Sequence, residues 1–160
     1  MPNHYINNAI LEKNISKYQE CKRNKLKYEI LISEINSTIE RKSSRSKDTS
    51  AELSLLEEHK TKYESSQQSK QEIEVSLMED FYKLSENLSR YARFAYIEPD
   101  DAIQEGVVIC LERTETFDPT KGKAFNYMTT CIYNQLKQIY KVAKGYNEFK
   151  KKRAEMLRNS

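Results

Sequence analysis

Apolar residues recur along this chain at steps of three and four, the spacing that gathers side chains on one face of a helix. Leu11, Ile15 and Tyr18 open the series, and Tyr28, Ile32, Ile35 and Ile39 continue it. One or two amphipathic helices are predicted over residues 8–40. The stretch NSTIERKSSRSKDTS, residues 36–50, is rich in serine and charge and reads as a linker. Leu53, Leu56, Lys60, Tyr63 and Gln67 then keep the rhythm while turning polar. That weaker helix is expected to return against the first as a hairpin or coiled coil.

The strongest stripe spans residues 73–97, where Ile73, Leu77, Phe81, Leu84, Leu88, Tyr91 and Ala95 follow one another by threes and fours. Glu98-Pro99-Asp100 stops it, because proline lacks a donor and excludes helical geometry from the residue before it. Asp100 or Asp101 is placed to cap a further helix with Ile103, Val107 and Leu111 inward and Cys110 and Thr114 beside them. FDPTKGKAF, residues 117–125, breaks the pattern again. Phe125, Met128, Ile132, Leu136 and Ile139 then give a last long helix reaching Gly145 or beyond. No strand-period alternation competes, so the fold class is all-α. The organisation expected is a helical region at 1–72, a domain at 73–145 and a basic tail at 146–160.

Composition sharpens this picture. With 3 glycines and 3 prolines in 160 residues, long helices meet few interruptions. A mean hydropathy of −0.86 implies a small core for the length. The net charge of +3 hides an asymmetry: residues 121–160 hold ten Lys/Arg against two Glu, and the rest of the chain is acidic. A basic end on an acidic body suits a polyanion at one end and a different partner at the other. No apolar run approaches the roughly 20 residues of a membrane span, and the start of the chain has no signal-peptide core. Cys21, Cys110 and Cys131 are far apart and read as reduced, buried thiols. His4 and His59 have no partner motif. No catalytic constellation, metal set or cofactor fingerprint is visible, so an enzyme is not expected.

Two short elements carry chemistry. In IQEG, Asp101, Gln104 and Glu105 share an outer helical face, and Gly106 costs about 1 kcal/mol relative to alanine there. A close approach by another helix would account for it. The simpler reading is a capped helix with one tolerated glycine. In FDPTKGKAF, Asp118-Pro119 starts a turn, Gly122 supplies a positive φ, and Lys121 and Lys123 flank it between the apolar anchors Phe117 and Phe125. A phosphate backbone and an unstacked base would suit such a corner; an ordinary helix connector with solvated lysines would look the same.

Together, DDAIQEG and FDPTKGKAF resemble the central domain of bacterial sigma factors, whose pattern is close to D-L-I-Q-E-G followed by K-F-[DE]-x-x-[KR]-G-x-x-F-[ST]. Asp101, Ile103, Gln104, Glu105, Gly106, Phe117, Asp118, Gly122 and Phe125 match at the family's spacing. FNYMTTCIYNQLKQ, and in style HYINNAIL, are similar to the reduced late-gene sigma factors of T-even-like tailed phages. The resemblance covers residues 73–145 and, weakly, 1–20; residues 36–70 fall outside it.

The resemblance implies a compact sigma-type helical domain; the spacing adds a long N-terminal helical pair, and no second DNA-binding domain is expected. Asp101, Gln104, Glu105 and Leu111 would dock on the β′ coiled coil of bacterial core RNA polymerase, with Gly106 letting that surface come close. Promoter DNA, a short AT-rich −10-like element, would fall to Phe117, Lys121, Lys123, Tyr127, Asn134, Gln135, Lys137, Lys141 and Lys144. Phe117 and Lys121 match positions near a flipped base, and Gln135 one that reads the element's upstream edge, where glutamine can pair with adenine. The housekeeping melting aromatics are replaced by Met128, Cys131, Ile132 and Lys123, with Tyr127, Tyr133 and Tyr140 displaced in register. A phage co-activator, late promoters and the host bacterial cytoplasm complete the expectation. The alternative is a helical polymerase-binding adaptor or anti-sigma-like protein that reads no DNA.

Overall fold

The computed structural model describes residues 6–91 and 94–160, the side chain of Tyr91 excepted, so His4 and the Tyr91 position of the stripe lie outside the described residues. The fold is all-α. The described residues form four helices, α1 (Asn8–Ser44), α2 (Ser50–Tyr91), α3 (Pro99–Thr114) and α4 (Ala124–Arg158), and no strand. Two units divide the chain: one takes residues up to Glu12 with Leu77–Ser160, the other Lys13–Ser76.

In the second unit, α1 and α2 run antiparallel. Lys42 pairs with Glu52, Tyr63 donates to Glu29 at 3.2 Å, Tyr28 lies 5.8 Å from His59, and Lys70 sits over Tyr18. From Tyr18 through Tyr28 and Glu29 to Lys42 on α1, the partners run back along α2 from Lys70 through the His59–Tyr63 turn to Glu52. The serine-rich stretch read as a linker is helical through Ser44, leaving 45–49 as the connection. Serine's preference for turns is a weak term, and continuing i→i−4 bonds override it. Ser46 takes a φ of 53°, and Asp48 accepts the Ser50 N–H at 3.0 Å, starting α2. Leu53, placed on the inner stripe by its spacing, is 50% exposed, and burial begins at Leu56.

The first unit holds the larger core. From α2 come Leu77, Phe81 and Leu84; from α3 Ala102, Ile103 and Cys110; from α4 Ala124, Met128, Ile132 and Leu136, all buried. Burying each large apolar side chain contributes about 1.5–3 kcal/mol. The helix expected to run to residue 97 ends at Tyr91, and Ala95 lies exposed in a turn where Tyr96 adopts φ 68°. Pro99 does not stop that helix; it starts α3 at the first position, behind an extended Glu98 that serves as N-cap. Asp100 and Asp101, expected to cap, lie instead in the first turn, where carboxylates favour the positive end of the helix dipole.

Gly106 points inward. A methyl built there would come within 2.2 Å of Ser85 Oγ and 3.3 Å of Ile132 Cγ2. Its small size therefore serves α2 and α4 of this chain, which corrects the expectation of an external surface closing on it. Phe125 is likewise displaced: Ala124 takes the buried place and Phe125 is 39% exposed. Past Leu136 nothing on α4 is buried, and the expected tail at 146–160 continues as helix to Arg158.

Candidate functional site

The corner between α3 and α4 is built from its own sequence. Asp118 Oδ1 accepts the Thr120 N–H at 2.9 Å and the Thr120 hydroxyl at 2.6 Å, and Lys121 N–H closes the turn on Asp118 O at 3.1 Å. These bonds from the Thr120 hydroxyl and amide hold the Asp118 carboxyl below the ordinary range. Gly122 then takes φ 151°, and a Cβ built there would meet nothing within 4 Å, so conformation rather than crowding calls for glycine. Lys123 is the N-cap of α4 and caps with no side-chain bond of its own.

The capping groups arrive from the other end of the chain. Glu12 Oε1 accepts the Ala124 N–H at 3.0 Å, and Asn8 Oδ1 accepts the Phe125 N–H at 2.9 Å. Asn8 Nδ2 donates to the same Glu12 carboxylate at 2.8 Å. The Ala124 amide first, then Asn8, lower the Glu12 pKa, and Lys123 adds to the effect.

Two clefts open beside this corner. The larger, of about 520 Å³, is lined by Thr116, Phe117, Asp118, Lys121, Gly122, Lys123, Asn126, Tyr127 and Thr130. Its neighbour, about 310 Å³, is lined by Ile109, Arg113, Tyr127, Thr130, Cys131, Asn134, Gln135 and Gln138. Tyr127 and Thr130 border both, so a polar groove follows the first turns of α4. Lys137, Lys141 and Lys144 line neither cleft, but they continue the helical line of Thr130 and Asn134 by threes and fours and are exposed.

Of the residues assigned to DNA, Phe117, Lys121, Lys123 and Tyr127 meet in the first cleft, and Tyr127, Asn134 and Gln135 in the second. Phe117 is the exception in character. It is 6% exposed and its ring lies 5.5 Å from Tyr127, so it belongs to the core beneath the groove and offers no free face to a base. Tyr127, bonded at 3.3 Å to Thr116 Oγ1, is the aromatic that faces the cleft. Tyr133 and Tyr140 turn away, lying 5.8 and 6.1 Å from the ring of Phe94. Cys110 is buried, while Cys21 and Cys131, expected to be buried, are only partly so; all three are free. Burial pushes the Cys110 thiol far up, so it stays protonated.

Asp101, Gln104 and Glu105 stand exposed on α3, with Val108 51% exposed beside them and Leu111 half-buried. Nearby on this unit, Met78, Tyr82 and Val107 line an apolar cleft edged by Glu79 and Lys83. The residues that sequence reasoning missed are Asn8, Glu12, Arg113, Asn126 and Gln138. Gln138 was legible, four residues after Asn134 on one helical line. Glu12 was not, since 112 residues separate it from Ala124.

Compared with known protein families, with curated proteins and with solved structures, the chain matches none of them. Among the described residues no helix is long and apolar enough to cross a membrane.

Proposed function

We propose that this chain is a sigma-type transcription initiation factor, a phage-encoded one by its resemblance, that docks on bacterial core RNA polymerase and supplies recognition of a short AT-rich, −10-like element of late promoters. The observation that carries the reading is the groove along α4, which holds two lysines, the half-buried Tyr127 and the amides of Asn134, Gln135 and Gln138 on one surface. Lysines bind phosphate, amides read base edges, and an aromatic ring lining the cleft can stack on an unpaired base, each stack contributing roughly 1–3 kcal/mol. Tyr127 takes the stacking role in place of Phe117.

The exposed Asp101, Gln104 and Glu105 supply the docking face, with the apolar cleft at Met78, Tyr82 and Val107 extending it. A basic helical partner with apolar side chains would complement that surface. The same face would serve an adaptor that reads no DNA, and the groove is what favours the DNA-reading alternative.

The test is run-off transcription by core polymerase with the purified chain on a pre-melted promoter carrying TATAAATA in its non-template strand, against a scrambled element at fixed salt. Element-dependent transcripts are expected. Polymerase binding with no such transcript would favour the adaptor, and absence of binding would sink both.

A further inference from the structure

The carboxylate of Glu12 meets the first amide of α4, a position that draws anions at helix starts. The start of a helix presents unpaired N–H groups and a partial positive charge, and it attracts anions. At α4 those first amides directly follow Lys121 and Lys123 in the chain, and these two lysines and Asn126 line the larger cleft. Lys123 is the N-cap yet contributes no side-chain cap. The Ala124 and Phe125 N–H groups are met instead by Glu12 at 3.0 Å and Asn8 at 2.9 Å, two side chains one helical turn apart and tied to each other at 2.8 Å.

A neutral acceptor can also satisfy such amides. Asparagine, serine and threonine all do so at helix starts. A full negative charge does something more: it offsets Lys123 and repels an approaching phosphate. We propose that Glu12 is an internal anion that holds the α4 corner in shape while restraining its attraction for DNA. Asn8 and Glu12 are thereby positioning residues for the groove, and the charge of Glu12 sets how much of its binding is phosphate attraction. This rests on the reading of the groove as a DNA site.

Binding of a labelled single-stranded TATAAATA oligonucleotide by the full chain tests it, measured over a series of salt concentrations for the wild type, Glu12→Gln, Lys123→Met and the double variant. Glutamine keeps the acceptor and loses the charge. Glu12→Gln is expected to bind roughly two- to fivefold tighter at low salt, the size of one charge acting at a helix start. Its log K against log salt should steepen by about 0.7, as for one more phosphate neutralised on a single strand. Lys123→Met should weaken binding on its own, as loss of a groove lysine, and Glu12→Gln should gain less in that background than in the wild type. Amide exchange at Ala124 and Phe125 should remain protected in Glu12→Gln, a readout independent of DNA.

Unchanged or weaker binding by Glu12→Gln, with those amides still protected, makes Glu12 a structural cap and overturns the inference while leaving the groove's function standing. Loss of protection in Glu12→Gln also overturns it, because the charge would then be needed for the cap itself. Failure of the wild type and every variant to bind removes the DNA reading, and the inference with it.

Discussion

Gly106 and Gly122 show two different reasons for a glycine. At Gly122 the backbone conformation requires it, and the turn residues Asp118 and Pro119 made that legible. At Gly106 the reason is a neighbour: Ser85 presses from α2, with its Cβ 2.7 Å from where a methyl would sit. Gly106→Ala is therefore expected to destabilise the chain by about 1–2 kcal/mol, overpacking exceeding the gain in helix propensity. Thermal unfolding of Gly106→Ala beside Gly106→Ala/Ser85→Gly checks this, the second recovering much of the deficit. Asp118 belongs at this scale too. Its carboxyl is held low by the Thr120 hydroxyl and amide, so its contribution is present above the ordinary aspartate range and is lost as pH falls through the depressed value. Asp118→Asn should flatten the acid side of the stability profile, followed by melting temperature against pH.

At the scale of elements, helix periods were legible and helix rotation less so. The spacing placed Ile103, Val107 and Leu111 inward on α3; the buried set is Ala102, Ile103, Gly106, Cys110 and Thr114, with Val107 and Leu111 half-buried. Hydrophobicity ranks large side chains first, whereas a tightly crossed helix buries its small ones. The same choice put Ala124 in and Phe125 out on α4. α4 also carries a prediction. Lys137, Lys141 and Lys144 are exposed along one line, and none contributes to the core. Replacing all three with glutamine should leave the melting temperature within about 1 °C and lower the salt slope of duplex DNA binding by about 0.9 for each phosphate no longer neutralised. An unchanged slope would exclude them from the interface.

For the molecule as a whole, the proposal separates two surfaces of the first unit. The docking face on α3 and the groove along α4 share no lining residue, so damage to one should spare the other. Gln104→Ala with Glu105→Ala is expected to weaken polymerase binding about tenfold or more, since each removes a polar group from a docked face. Tyr127→Ala should leave that affinity intact while reducing transcripts from the AT-rich element. Pull-down on core polymerase and run-off transcription, measured on the same variants, read the two effects apart.

The sequence by itself determined the all-α class, the stripe of Leu77, Phe81 and Leu84, the turn at Asp118–Gly122 and the exposure of Asp101, Gln104 and Glu105. These follow from period, turn chemistry and local charge, which act over a few residues. Tertiary structure alone decided that Gly106 serves Ser85, that Phe117 lies under the groove with Tyr127 facing it, and that Asn8 and Glu12 cap a helix more than a hundred residues away. Those outcomes depend on which side chains meet across helices, and such meetings leave no trace in spacing along the chain.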